Sequence, residues 1–211
     1  MKLYFSPGAC SLAPHIVLQE TGLAFDLVKA DLKTHTLAAD GSDYYQTTTK
    51  GQVPLLELDS GERLSEGPAI TQYLADQVPA KHLAPANVTM ARYRVQEWLN
   101  FVTSELHKGI GGLFNPAMND DGKTVIRARA LDKLKWVDAQ LEGKQYLMGD
   151  AFTIADAYLF TVTNWTAHTG IDISALKNLG AFQARMAARP AVQAALKAEG
   201  LLKYAAPCSP P

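Results

Sequence analysis

The sequence predicts an α+β domain followed by an all-α domain. Short apolar strand patterns alternate with helical patterns as far as about residue 79, and a proline-containing stretch without a clear period follows. Every patterned segment beyond that stretch has helical spacing. We therefore expect domains at 1–79 and 88–203, joined by a linker at 80–87 and followed by a flexible tail at 204–211.

The composition is that of an ordinary globular chain. Hydrophobic residues make up 47% and charged residues 19% of the 211 residues, which is enough for a sizeable core. The formal net charge of −1 leaves no basic excess to neutralise a phosphate backbone. No apolar run approaches the ~18 residues of a membrane helix, and two cysteines fit a reducing compartment. We therefore expect a cytoplasmic protein without nucleic-acid or membrane partners.

Each element of the first domain follows from a local pattern. Residues 2–5 are a short apolar strand, and the helix after it tolerates Pro14 only because this proline lies in the first turn. Gly22 ends that helix. The expected order is strand 2–5, helix 11–21, strand 25–32, a long polar loop at 33–52, a hairpin with strands 53–59 and 62–66, and a helix that opens at Pro68.

The second domain is predicted from helical periods alone. Thr153 and Asp156 form a capping box, in which Thr153 caps a helix and Asp156 reaches back, so we give this pair a structural role. The predicted helices cover 88–114, a stretch around 130–141, 152–165, 179–189 and 190–200.

Cys10 lies where the first strand turns into the first helix. The free N–H groups and partial positive charge of a helix N-terminus favour a thiolate, which is the nucleophilic form of cysteine. The Ser11 hydroxyl is expected to donate to the sulfur. A small buried residue is the alternative role for Cys10. Because position 13 is alanine, there is no Cys-x-x-Cys pair for an internal redox cycle.

Two further features suit an extended, zwitterionic ligand. Val53-Pro54 opens a strand and is a candidate cis peptide, and the N–H and C=O of Val53 are expected to face outward and pair with a peptide. Glu66 precedes a helix, so its carboxylate suits an ammonium group while N–H groups from Gly67 onward suit a carboxylate. An ordinary strand start and a helix-capping acid are the alternatives.

A polar stripe marks the first helix of the second domain. At about 100° per residue, Asn100, Ser104 and His107 fall on one face, which favours hydrogen bonding in a half-buried cleft over a purely solvated surface. A solvated face is the alternative. The five histidines show no ligand spacing among themselves or with Cys10, so we expect no metal site.

With these residues together, the chain resembles the cytosolic glutathione S-transferases, and most closely the bacterial beta class. The matching segments are PGACSLAPHIVL, KGQVPLL, LSEGPAITQYLAD, EWLNF, SELHKG and FTIADAYLF, in this order. The resemblance implies a thioredoxin-like N-terminal domain with a mixed sheet, an all-helical C-terminal domain, glutathione in the cleft between them, and a homodimer. It implies glutathione as co-substrate and no other cofactor.

The resemblance also assigns roles to individual residues. It implies catalytic roles for Cys10 and His107, and Phe114 and Trp165 are weaker candidates for an acceptor pocket. Its glutathione-binding set is Cys10, Ser11, Val53, Pro54, Glu66, Gly67, Asn100, Ser104, Glu105, Leu106 and His107.

The chain departs from the family pattern at three places. Phe5 stands where the beta class often has tyrosine, Thr48-Thr49 replaces an Asn-Pro pair, and His35 replaces a frequent lysine. Tyr4 cannot substitute for a tyrosine at position 5, because neighbours on a strand face opposite sides.

The expected function is a detoxifying transferase that adds the glutathione thiolate to electrophilic, hydrophobic acceptors. One alternative is glutathione-dependent thiol-disulfide exchange, in which Cys10 forms a mixed disulfide. The other alternative is a ligand-binding protein without turnover.

Overall fold

A computed structural model of the chain describes residues 1–202. These residues form two compact units. Met1–His82 and the segment that starts at Ala188 make the first unit, and Leu83–Ala187 makes the second. The tail predicted at 204–211, which includes Cys208, lies outside the described residues.

The strands agree with the predicted order but include one more. They are β1 (Lys2–Phe5), β2 (Asp26–Asp31), β3 (Thr36–Leu37), β4 (Leu55–Glu57) and β5 (Arg63–Ser65). The helices are α1 (Leu12–Thr21), α2 (Gly67–Gln77), α3 (Met90–Phe101), α4 (Lys108–Gly112), α5 (Asp120–Gln140), α6 (Ile154–Asn164), α7 (Thr166–Thr169), α8 (Lys177–Ala187) and α9 (Pro190–Ala198).

Within the described residues the strands form one mixed sheet in the order β3-β2-β1-β4-β5. Strand β1 lies parallel to β2, with Leu3 opposite Leu27, and antiparallel to β4, with Leu3 opposite Leu56. The β-α-β half and the β-β-α half of the first unit therefore meet at β1. This arrangement confirms the predicted fold class.

The long polar loop predicted at 33–52 was wrong in part. It contains the edge strand β3, which pairs with the end of β2, and a 3-10 helix at Tyr44–Gln46. A two-residue strand is too short to show a period of its own, and its pairing depends on Ala30 and Asp31 instead.

Helix α1 is almost entirely buried, because α2 and α9 pack against it and β1 leads into it. It ends at Gly22, whose φ of 73° is the left-handed conformation that glycine adopts without cost. The last helix of the sequence, α9, therefore belongs to the same compact unit as the first strand.

The helix predicted over 88–114 is present from Met90 to Gly112, but it is not one regular α-helix. The structure has α3, then a π-helical segment at Val102–His107, then α4. A π-helix places its hydrogen bonds five residues apart, so side chains beyond residue 102 do not continue the face set by the α-helical period. Over six residues, a pattern of apolar residues cannot distinguish a π-helix from an α-helix.

The capping box at the start of α6 is confirmed. Asp156 Oδ2 accepts hydrogen bonds from the Thr153 N–H at 2.8 Å and from the Thr153 hydroxyl at 3.1 Å. Its other oxygen accepts from the Leu147 N–H at 2.8 Å, so this buried carboxylate also fixes the loop before the helix.

Among residues 1–202, no helix has the length and apolar character required to cross a bilayer.

Candidate functional site

The turn between β1 and α1 holds Cys10 half-buried, two residues before the helix begins. The Ala9 N–H donates to the Ser6 carbonyl at 3.0 Å, which closes the turn. The Ser11 hydroxyl donates to that same carbonyl at 3.2 Å and accepts from the Ser6 N–H at 3.2 Å. Hydrogen bonds from Ala9 and Ser11 to Ser6 therefore stabilise the turn that carries Cys10.

The expected hydrogen bond from Ser11 to the sulfur of Cys10 was wrong. A serine hydroxyl has one proton to donate, and in this chain it goes to Ser6. Ser11 is also fully buried. The sulfur of Cys10 instead donates to the Val53 carbonyl oxygen at 3.2 Å. This contact joins the turn to the start of β4, across 43 residues of sequence.

Val53 provides a backbone edge beside the thiol. The Val53-Pro54 bond is cis, as the sequence suggested. The Val53 carbonyl accepts from Cys10, while no described residue accepts a hydrogen bond from the Val53 N–H. The Val53 side chain is buried, so the backbone alone is offered at this edge.

Glu66 stands directly before α2, as predicted. Its backbone has φ 72° and ψ 113°, a region that residues other than glycine rarely occupy. Its side chain makes no capping hydrogen bond to the helix, so the helix-capping alternative is not what the structure has. The exposed carboxylate is paired with Lys50, whose Nζ lies 2.7 Å from Glu66 Oε1.

A buried carboxylate supports the turn from behind. Glu199, after α9, accepts from the Gly8 N–H at 2.9 Å and lies 2.8 Å from His15 Nδ1 on α1. The side chains of His15 and Glu199 are both fully buried. Sequence reasoning missed this pair because 184 residues separate its members; His15 lies in one of the matching segments, but Glu199 lies in none. The apolar residues around His15 in the sequence were the signal that this histidine is buried and needs a polar partner.

Polar and charged side chains also link β1 to β4. A hydrogen bond from Lys2 holds the pKa of Glu57 on β4 below its usual value. Tyr4 donates to Glu57 at 3.3 Å, and burial raises the pKa of this tyrosine. Glu57 is therefore a shared partner of two side chains on the neighbouring strand β1.

His35, one of the departures, lies in the first unit with its ring 4.6 Å from the ring of Tyr45. Its φ of 53° is in the left-handed region. Its Nδ1 is buried and has no hydrogen-bond partner among the described residues. Gly51 lies so close that a side chain there would meet both rings.

In the second unit, His107 ends the π-helical segment. Its Nδ1 lies 2.6 Å from the Tyr158 hydroxyl, and its ring makes an edge contact with Trp165 at 4.9 Å. The Phe114 ring makes an edge contact with Trp165 at 6.0 Å, so Trp165 contacts both the histidine and the other predicted acceptor-pocket residue. Sequence reasoning missed Tyr158, since it predicted the helix of this residue but not the face that meets His107.

Among the other predicted residues of this unit, Asn100, Ser104 and Glu105 are exposed and Leu106 is buried. The Ser104 hydroxyl donates to the Asn100 carbonyl at 3.1 Å. Glu105 is paired with Lys133 of α5 at 2.8 Å, and Leu106 is fully buried. The side chain of Leu106 therefore belongs to the core, so a ligand contact at this residue would be made by its backbone.

A cleft of about 510 Å³ lies beside this segment, on the side of α5. Ser104 and Glu105 line it from the π-helix, and Arg129 and Lys133 line it from α5. His107 is not among its lining residues.

A mixed sheet with a cysteine at its first strand–helix turn defines a thioredoxin-like domain, here combined with a helical unit. The N-terminal domain profile of glutathione S-transferases matches residues 1–76, and the C-terminal domain profile of the same family matches 105–190.

Relatives match over nearly the whole chain. Glutathione S-transferase GstA of Escherichia coli O157:H7 is 49% identical, over 95% of this chain and 100% of its own. A sphingomonad glutathione S-transferase solved in complex with glutathione superposes with a TM-score of 0.91 at 49% identity, covering 95% of this chain and 100% of that one. The bacterial beta class enzyme of Sphingomonas chungbukensis has a TM-score of 0.92 at 50% identity, covering 96% and 100%.

The chain therefore belongs to the glutathione S-transferase family, in its bacterial beta class, and is a glutathione transferase.

Proposed function

We propose that glutathione binds along the first unit in an extended form, with its sulfur beside Cys10. Its cysteinyl residue would pair with the Val53 backbone, and its γ-glutamyl end would meet Glu66 and the N–H groups from Gly67 onward. The observation that carries this proposal is the hydrogen bond of 3.2 Å between Cys10 Sγ and the Val53 carbonyl oxygen. This hydrogen bond shows that the Cys10 thiol lies next to the backbone of Val53, with which an extended peptide would pair.

The Val53 edge supports the middle of this binding mode. An extended peptide can pair through main-chain hydrogen bonds with backbone groups that lie outside the ladder of a sheet. Val53 is in such a place, because it precedes the internal strand β4 and the pairing of that strand begins at Leu55. The Val53 N–H has no acceptor among the described residues, so it can donate to a ligand carbonyl without breaking an existing bond. The Val53 carbonyl would exchange the Cys10 thiol for a ligand N–H, which releases the thiol toward the ligand sulfur.

The backbone of Glu66 supports the γ-glutamyl end. A non-glycine residue at positive φ costs on the order of 1–3 kcal/mol, and such residues are concentrated at ligand sites. The conformation of Glu66 ends β5 and starts α2 within one residue. The helix N–H groups then suit an α-carboxylate, and the exposed Glu66 carboxylate suits the neighbouring ammonium.

The chemistry requires an ionised glutathione sulfur. A thiol with an ordinary pKa of about 8.5 is mostly protonated at neutral pH, and lowering that value by ~2 units takes roughly 2.7 kcal/mol of charge stabilisation. We assign this stabilisation to the Cys10–Ser11 turn with the α1 N-terminus, and to His107. The sulfur then forms a bond to the electrophilic carbon of the acceptor. In a substitution reaction the leaving group departs with the bonding electrons, and the thiol proton goes to solvent.

The second-unit residues remain part of the proposal. We assign His107 a catalytic role, with Asn100, Ser104, Glu105 and the Leu106 backbone as further glutathione contacts. Phe114 and Trp165 would contact the hydrophobic acceptor. Their support is the contact of Trp165 with both His107 and Phe114.

The physiological setting is also proposed. We assign small hydrophobic electrophiles as acceptors, a homodimer as the working assembly and the cytoplasm as the compartment. We further propose that glutathione as co-substrate is the only small molecule required besides the acceptor. The domains at 1–79 and 88–203 stay a proposal about the sequence, in which α9 is counted with the second domain although it packs in the first compact unit.

The test combines binding and turnover. Purified protein is passed over immobilised glutathione, and conjugation of a chlorodinitroaromatic is followed by absorbance for wild type and Cys10→Ala. We expect retention, and conjugation that survives at least partly in Cys10→Ala, because the substrate supplies the reacting sulfur. Failure to bind glutathione would overturn the proposal.

A mass spectrum taken with and without reductant completes this test. The proposal predicts that any adduct at Cys10 is not required for turnover. Complete loss of conjugation in a folded Cys10→Ala protein, together with a reducible glutathione adduct on wild type, would favour disulfide exchange instead.

A further inference from the structure

Tyr44 is the largest fully buried side chain in the small core on one side of the sheet. It opens the 3-10 helix at Tyr44–Gln46 and is fully buried. This core also contains Tyr4, Ala30, Val53 and Leu55, and the rings of Tyr4 and Tyr44 lie 5.7 Å apart. Tyr44 therefore packs directly beneath the strand start that carries the proposed glutathione edge.

The hydroxyl of Tyr44 has a single partner among the described residues. It donates to the Gln52 carbonyl oxygen at 3.0 Å. Burial raises the pKa of Tyr44 far above its ordinary value, so the hydroxyl keeps its proton at any physiological pH. The Gln52 carbonyl is thereby tied to the core.

The bonded carbonyl belongs to the peptide unit that carries the Val53 N–H. A peptide unit is planar, and in a trans peptide its C=O and N–H point in opposite directions. The Gln52–Val53 peptide is trans, since the cis bond found among residues 1–202 lies one residue later. A carbonyl held toward Tyr44 therefore turns the Val53 N–H away from the core.

We propose that Tyr44 is a positioning residue for glutathione, which acts by orienting the Val53 N–H toward the peptide ligand. The tyrosine itself does not touch the ligand. This inference rests on the proposed function, because it requires the Val53 edge to pair with glutathione.

The first experiment compares Tyr44→Phe with Tyr4→Phe. Each change deletes one buried tyrosine hydroxyl from the same core, but the hydroxyl of Tyr4 is bonded to Glu57 and not to the Gln52–Val53 peptide. We expect Tyr44→Phe to raise the KM for glutathione roughly three- to tenfold, which is the range of one neutral hydrogen bond. We expect kcat to change less than about twofold, and Tyr4→Phe to change neither value by more than about twofold.

A glutathione analogue isolates the hydrogen bond from general loosening of the core. In this analogue a methylene group replaces the cysteinyl carbonyl, so the acceptor proposed for Val53 N–H is gone. The expected result is that wild type and Tyr44→Phe bind the analogue with equal dissociation constants, while they differ for glutathione. A purely structural role of Tyr44 would weaken both ligands by the same factor.

If Tyr44→Phe does not fold, replacement of Tyr44 by 4-aminophenylalanine and by 4-fluorophenylalanine decides the matter. Both fill the space of the hydroxyl, but only the amino group donates a hydrogen bond. The inference predicts a KM close to wild type for the amino variant and an increase for the fluoro variant. Equal values for the two variants would overturn it.

The outcomes separate this inference from the function on which it rests. If wild type does not bind glutathione, the proposed function fails. If wild type binds glutathione and Tyr44→Phe binds it equally well, the proposed function stands and the role of Tyr44 is refuted.

Discussion

The two units hold their candidate functional groups in different ways. In the first unit, backbone groups take part in the contacts around Cys10: the Cys10 thiol donates to the Val53 carbonyl, and the Gly8 N–H donates to Glu199. In the second unit, side chains make the contacts, since His107 is held by the hydroxyl of Tyr158 and the ring of Trp165. Backbone groups at fixed positions suit the recognition of a single peptide ligand, which we propose to be glutathione. A site built from side chains suits chemistry and acceptors that vary.

This comparison predicts that changes in the first unit act on stability and on the KM for glutathione. Changes around His107 should act on kcat. Substitutions at Glu199, Glu66, Tyr158 and Glu57 test this division.

Glu199→Ala should lower the free energy of unfolding by roughly 3–5 kcal/mol, because it removes one partner of a fully buried pair. It also removes the acceptor of the Gly8 N–H, so the Cys10 turn loses its support. Denaturant titration measures the effect. Glu199→Gln keeps an acceptor oxygen of the same reach and should lose less. An unfolding midpoint equal to wild type for Glu199→Ala would remove the claim that this pair supports the turn.

Glu66→Gln should raise the KM for glutathione roughly 10- to 100-fold, since hydrogen bonds to a charged group are worth about 1.5–3 kcal/mol. The kcat should change little, because the contact is present before and during the reaction. The matched control is Glu97→Gln, which breaks an exposed ion pair with Arg94 in the second unit. A larger effect on kcat than on KM would contradict the binding role of Glu66.

Tyr158→Phe should lower kcat about three- to tenfold and leave the KM for glutathione unchanged. It removes only the hydroxyl that lies 2.6 Å from His107 Nδ1 and so loosens the orientation of the ring. Steady-state kinetics measure both values. Tyr93→Phe, at an exposed tyrosine of α3, is the control. An unchanged kcat in Tyr158→Phe would show that the orientation of His107 does not matter to the reaction.

The pH dependence of stability that Glu57 on β4 contributes is expected to be the weakest of these effects. The pKa of Glu57 is lowered in the folded state, first by its hydrogen bond to Lys2. Its stabilising contribution is therefore complete above the ordinary value of 4.5 and is lost as the pH falls through the lower folded value. The difference in unfolding midpoint between wild type and Glu57→Gln should shrink as the pH is lowered from 6 to about 3. A difference that grows on acidification would have the wrong sign.

The sequence predicted the parts of the site that depend on local chain geometry. Cys10 stands at a strand–helix turn, Val53 precedes a proline, and Glu66 precedes a helix, so each is visible within a few residues. The strands and helices that carry them were predicted for the same reason. All three positions remain candidates for ligand contact on the basis of such local signals.

The supporting contacts could not be predicted, because they join distant segments. Glu199 meets His15 across 184 residues, and Tyr158 meets His107 across 51. The short strand β3 and the π-helical segment at Val102–His107 depend on tertiary packing that no single periodic pattern reports. Ser11 was assigned the wrong hydrogen-bond acceptor because its competing partner, Ser6, lies in the turn itself.

The most direct test of the account is a crystal structure of the protein with glutathione. We predict that glutathione binds in an extended form, with its cysteinyl backbone hydrogen-bonded to Val53 and its sulfur adjacent to Cys10 Sγ. A bound tripeptide whose sulfur lies away from Cys10, with the Val53 N–H still without an acceptor, would contradict it.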